Sequence, residues 1–457
     1  MQSKPSKVLL AETCLPPRVE ATLGFLMRHK VWHLKSRNSV ATSCRDAAAR
    51  RVRLGNIGIP LYDELKSLCV VVYRSDQRHF ALLHARASSR FDLESARIML
   101  GAERPLATMA NDELRQRTGA DYGTVNPFSE PRNFIHVFDR GVLAKLTPPY
   151  TMMTNAGDYT WAVEFHPDEI IEALHTECEV HVGSITDSQA TADSLPAFGI
   201  ITGNGPESGM TLWQRVNEEV HRRLSAHNRM YGDLSYPRVV VHSIPEMGLS
   251  MELEQREEQV WSVIRSAIDD LHLSKVTHIA IACNTTQYFA DRIREYVRDR
   301  GLAFVSMAEV VTEYVRDHSI SDLTVIGIPV VAELGSYSAY RPIKDVGVRT
   351  VSPETLLQLQ ELGYMVKKLP YTIRDSRALN KLRLILERGT TTKNVLIALT
   401  EISVLLDRFP KFKGEIAGRA IIDPLHLYAN ALARIYIDAL PDLTQERLDS
   451  LDAEIEY

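Results

Sequence analysis

The sequence has little of what holds an extracellular or membrane-bound protein together. Its 457 residues include five cysteines, Cys14, Cys44, Cys69, Cys178 and Cys283, an odd and scattered set that makes no disulfide framework and favours a reducing compartment. No uncharged apolar run approaches the roughly 20 residues that cross a bilayer. The opening MQSKPSKVLLAETCLPP holds no apolar stretch long enough for a signal peptide. A cytoplasmic chain with no membrane association is therefore expected. A large charge of one sign is also missing: the net charge of −5 excludes a chain-wide nucleic-acid-binding field and leaves room only for a local basic face. There is no long Gly/Ser or Pro linker and no repeat of solenoid period. What is present is ordinary globular composition, 45% hydrophobic and 24% charged, which excludes a disordered or collagenous chain. The length calls for two or three domains.

A seam falls at 182–196, VGSITDSQATADSLP, a small and polar stretch with almost no apolar periodicity. Beyond it, short β-branched runs (AFGIIT, PRVVVHSI, HIAIAC, LAFVSM, LTVIGIP, NVLIALT) alternate with amphipathic helical stretches. That pattern means parallel α/β sheet covered on both faces, with chemistry just beyond the carboxyl ends of the strands. Before the seam, the strands CVVVYR, HFALLHA, NFIHVFD and WAVEFHP, with helices at 17–30, 43–53, 92–101 and 111–118, make a mixed α+β domain. The expected division is 1–185 and 196–457, α/β overall.

In the second half Cys283 ends the strand HIAIA and precedes Asn284, Thr285 and Thr286 ahead of a helix. Free N–H groups and the positive helix end favour a thiolate there, and Asn284 and Thr285 can donate to a bound carboxylate. The plain alternative is a buried cysteine packed as a small apolar side chain. The turn Gly203-Asn204-Gly205 also lies between strand and helix, where glycine lets backbone amides approach an anion or simply serves geometry. A full GxGxxG is absent, so no dinucleotide site and no cofactor is expected.

Residues from about 197 to 437 resemble the aspartate/glutamate racemase superfamily, the enzymes that work without pyridoxal phosphate. The resemblance rests on GIITGNGPESG, IACNTTQ, FVSMAEVV, VLIALTEISVLL and IIDPLHLYANALA in the family's order. It implies a pseudo-symmetric pair of parallel α/β lobes and proton exchange at the α-carbon of a small amino or carboxylic acid between two cysteines. Members of this type often pair as dimers. Cys283 matches the first cysteine. The segment matching the second reads Ala398-Leu399-Thr400-Glu401, with Leu399 at the cysteine position. Gln287 stands at the family's histidine position, Ile328-Pro329-Val330-Val331 replaces its polar carboxylate loop, and Ser250 aligns with an arginine of aspartate-specific members. The implied site is Cys283 with Gly203, Asn204, Gly205, Asn284, Thr285, Thr400 and Glu401. One thiol suits one-sided chemistry. A pocket that keeps binding and has lost catalysis is the other reading. Glu207 and Glu401 are the conceivable substitute acids.

In the first half Lys66 opens the strand KSLCVVVY, and Gly123-Thr124-Val125-Asn126-Pro127 follows a helix ending RTG. Alone, each is ordinary: a solvated lysine and a loop with fixed corners. With SRFDLESARIMLG, ATMANDELRQRTGADYGTVNPF, HVFDRGVL and NAGDYTWAVEFHP, residues 20–175 resemble the YbaK/ProX aminoacyl-tRNA deacylase domain. The resemblance implies hydrolysis of an aminoacyl ester on tRNA, with Lys66 near the terminal phosphate and the Gly123–Pro127 loop holding the ester. Arg45, Arg50, Arg51 and Arg53 are either cations for that polyanion or a solvated helix face. His175, Cys178 and His181 have metal-like residue types but are one ligand short of a closed zinc site, so no metal is expected.

Overall fold

A computed structural model describes residues 15–41, 43–51, 58–144, 149–187, 195–203, 205–226, 230, 232–369, 373–440 and 454–455. The chain forms two compact units, Met1–Leu195 with Leu440–Tyr457, and Pro196–Ala439.

The first unit is mixed α+β, with two sheets. Strands Leu65–Arg74 and Gln77–Arg86 form an antiparallel hairpin, whose two-residue turn Ser75-Asp76 takes positive φ at both positions, the geometry that matches strand twist. Ala107–Thr108 extends that sheet on one side, and Ile135–Asp139 and Val180–Gly183 add in parallel on the other. In the second sheet His33–Arg37, Trp161–Phe165 and Met152–Asp158 run antiparallel. Helix Pro17–Arg28 seals it through Val19, Phe25 and Leu26 against Phe128 and Phe165. The two-residue strand Glu454–Ile455 pairs with His33–Arg37, so the described end of the chain groups with the first unit rather than with the 196–457 stretch of the sequence reading.

The second unit repeats one topology. Its first lobe orders four parallel strands as Arg238–Ser243, Ala197–Thr202, His278–Ile281, Ala303–Phe304. The second lobe orders Val348–Arg349, Leu323–Gly327, Asn394–Ala398, Arg419–Ile422 in parallel, with Glu415–Ile416 added antiparallel at the edge. In both lobes the chain visits the strands in the order two, one, three, four. The central strands Ala197–Thr202 and Leu323–Gly327 are buried at every position, which is why their sequences run apolar instead of alternating. Helix starts are written locally: Ser306 caps Met307–Asp317, Ser352 caps Pro353–Lys367 and Asp423 caps Pro424–Asp438, the last two with proline in the first turn. Helix Pro424–Asp438 packs on Pro206–Ala226 and Met307–Asp317, and the Tyr428 hydroxyl bonds Val305 O and accepts from Ile281 N. The chain thereby returns from the second lobe to brace the first.

Candidate functional site

In the first unit the loop after helix Asn111–Thr118 is fixed at several points. Gly119 ends the helix in the left-handed region, and Gly123 holds φ +86° with the Tyr159 ring 3.5 Å from where a Cβ would stand. Asn126 Oδ1 accepts from Phe128 N at 2.8 Å and Ser129 N at 3.0 Å, while its Nδ2 donates to Thr22. Asn155 Nδ2 donates to Val125 O at 3.0 Å. A loop so tied presents a set surface. Lys66 and Gly123 line one cavity of ≈ 150 Å³, together with Cys44, Arg51, Glu64 and Ser67. Pro127 is buried and does not line this cavity.

Lys66 Nζ donates to Ser89 O and to Ala87 O and stands 5.1 Å over the Phe91 ring. Burial lowers its pKa; Cys44 opposes that shift and Arg90 adds to it. The basic stretch is solvated only in part, with Arg45 exposed. Arg51 is buried and pairs with Glu64, burial lowering it to about 10, and Arg50 bonds Asp46 at 2.9 Å. Arg53 lies outside the described residues.

In the second unit Cys283, Asn284 and Thr285 follow the third strand of the first lobe and are all buried. Asn284 Oδ1 accepts from the Tyr340 hydroxyl at 2.5 Å, while its Nδ2 is buried with no partner, a donor held ready for an acceptor. Tyr340 is fully buried, and burial, Cys283 and Asp423 push its phenol pKa up. No sequence pattern singled out Tyr340; it lies in SYSAYRP, a segment without period, and only tertiary packing brings it to Asn284. Gln287 is wholly engaged: Nε2 donates to Ile281 O and Cys283 O, and Oε1 accepts from Ser306 Oγ and Met307 N. Gln287 is therefore a brace.

Leu399, after the third strand of the second lobe, occupies the place that corresponds to Cys283. It belongs to that lobe's apolar core, 3.5 Å from where a Cβ on Gly363 would stand. Ile328 and Val331 are buried in the same core, and Ser250 is fully buried. Gly205, Thr400 and Glu401 do come together, around a cavity of only ≈ 10 Å³ that excludes Cys283 from its lining, space for about one water. Lys367 Nζ lies 3.2 Å from Glu401. Burial raises the Glu401 pKa; Lys367 opposes and Glu207 adds to the shift. Gly203 is a geometric requirement: at φ +137° a Cβ would stand 1.7 Å from Ile244 O. Asn204 lies outside the described residues. Among the described residues no disulfide is formed, no group of His, Cys, Asp and Glu is placed to hold a metal, and no helix is long and apolar enough to cross a membrane.

No family model and no curated protein matches the chain. Solved structures similar to the carboxyl half include an aspartate racemase homologue from Pyrococcus horikoshii, 17% identical over 53% of this chain and 100% of its own, TM-score 0.40. A Picrophilus torridus aspartate racemase is 19% identical over 56% of this chain and 99% of its own, TM-score 0.39. Over the amino part, a candidate trans-editing enzyme for prolyl tRNA synthetase is 21% identical over 38% of this chain and 100% of its own, TM-score 0.30.

Proposed function

We propose that the chain is a two-domain amino-acid-handling enzyme whose first unit hydrolyses an aminoacyl ester at the 3′ end of tRNA. The observation that carries this is the convergence of Lys66 and Gly123 on one cavity. At ≈ 150 Å³ the cavity is well below the ~300 Å³ of the smaller ordinary ligand sites. It suits a small aminoacyl group, with the nucleotide outside. Amides of the tied loop would meet the oxyanion as the ester carbonyl turns tetrahedral, and Lys66 would meet phosphate. The test is release of amino acid from a panel of aminoacyl-tRNAs by the wild type and Lys66→Ala.

For the second unit we propose a one-thiol site on a small amino or carboxylic acid. Cys283 exchanges the α-proton on one face, and Asn284 Nδ2 binds a substrate oxygen. A second reading, a binding domain without catalysis, is favoured by the packed Leu399. Exchange of α-hydrogen for solvent deuterium separates the two.

A further inference from the structure

A chain of hydrogen bonds runs from the cavity of the first unit into its core. Ser67 lines the cavity, and its Oγ lies 2.9 Å from His84 Nδ1. His84 Nε2 lies 3.0 Å from His136 Nδ1, and His136 Nε2 lies 3.1 Å from Pro131 O. Ser67 and His84 are register partners across the hairpin, so their side chains share a face. Both imidazoles are fully buried, and the Phe138 ring stacks on His84 at 4.4 Å.

The last acceptor decides every proton in the chain. A carbonyl oxygen only accepts, so His136 carries its proton on Nε2. Burial lowers both histidines, His84 well below its usual value and His136 to about 4, so both rings are neutral at pH 7. His136 then accepts at Nδ1, His84 donates from Nε2, and the lone pair of His84 Nδ1 faces the Ser67 hydroxyl, which donates to it. The reverse polarity would set a bare His136 Nε2 against a carbonyl. A pair of histidines satisfied inside a core is common. This pair differs because its basic end meets the hydroxyl of Ser67, a half-buried residue that lines a cavity.

We propose that Ser67 is the nucleophile of the first unit, that His84 is its general base, and that His136 is a positioning residue holding the His84 tautomer. This rests on the aminoacyl-ester reading of the same cavity. As Ser67 Oγ attacks the ester carbonyl, its proton passes to His84 Nδ1. The bond from the carbonyl carbon to the ribose oxygen breaks, and that oxygen takes the proton from His84, leaving an acyl ester on Ser67. Water then attacks the acyl carbon and gives one proton to His84. The carbon–Oγ bond breaks, Oγ recovers that proton, and the amino acid leaves. The imidazolium formed in each step donates to His136 rather than to a carboxylate. An activated ribose ester asks less of the base than an amide does.

The experiment treats the full chain with a fluorophosphonate, locates the adduct by mass spectrometry, and measures aminoacyl-tRNA hydrolysis alongside. The expected adduct is on Ser67, and it is lost in His84→Gln that melts like the wild type. Ser67→Ala lowers hydrolysis by roughly 100-fold or more, and His136→Phe lowers kcat at unchanged KM. Full hydrolysis by Ser67→Ala overturns the relay whatever the labelling shows. If the wild type hydrolyses no aminoacyl-tRNA, the substrate reading falls and labelling alone decides. An adduct on Ser67 then upholds the relay, and its absence overturns it.

Discussion

Cys283 and Leu399 stand at corresponding strand ends in two lobes of the same strand order, and the proposed one-thiol chemistry rests on the difference between them. On the proposed reading the thiol removes and returns a proton on one face, and Leu399 cannot act as the second base that an inversion needs. The expected outcome is deuterium entry at the α-carbon of a substrate acid without loss of stereochemistry, abolished in Cys283→Ala. Racemisation by the wild type, followed by chiral chromatography in D₂O, would contradict this. Leu399, at the place where the resemblance implies a second cysteine, is legible in the sequence because ALTE keeps the spacing of that motif. Tyr340 and the Ser67–His84–His136 chain are not, because they join residues far apart along the chain. No local period reports that His84 and His136, 52 residues apart, are 3.0 Å apart in space.

Elements are easier to read than contacts. Helices Pro17–Arg28, Leu93–Met99 and Asn111–Thr118 begin and end within a few residues of expectation, since apolar spacing, the Asp92 cap and the terminal Gly119 are local signals, while helix Pro167–His175 goes beyond the expected elements. The basic stretch 45–53 gave no comparable guide. Its helix, Cys44–Arg50, stops early, and Arg51 turns inward because Glu64 is there to pair with it. In the second unit, helix Pro206–Ala226 is held to Thr400–Asp407 and to the cap of Pro424–Asp438 by one buried cation. Arg215 bonds Asp407 at 2.9 Å and Asp423 at 2.7 Å and donates to Ser403 O. Arg215→Ala leaves the nearly buried Asp423 without its cation, while Asp407 keeps Lys413 at 2.6 Å, and should cost about 3–5 kcal/mol of stability, as broken buried pairs do. Chemical denaturation reads this directly; a loss under 1 kcal/mol would show that the cluster is as weak as a surface pair.

At the scale of the molecule, the two units carry separate apolar cores and should unfold in two calorimetric transitions. The first unit's transition should be the acid-sensitive one. His136 falls from 6.5 to about 4 on folding, so between those values the unfolded chain binds more protons than the folded one. Stability from this group is full above pH 6.5 and is lost as pH falls toward 4, by about 3 kcal/mol. His84 acts in the same direction. Melting curves at pH 7.5, 5.5 and 4 should move the first transition, and His136→Phe should flatten that movement. Equal movement in the variant would rule the histidine out as the cause. The central claim is chemical and sits in the same unit: the cavity shared by Lys66 and Gly123 cleaves aminoacyl esters. Release of amino acid from a full panel of aminoacyl-tRNAs tests it most directly. The account requires hydrolysis of at least one small aminoacyl-tRNA by the wild type and its loss in Lys66→Ala. Hydrolysis of none, or an undiminished rate in Lys66→Ala, would contradict it.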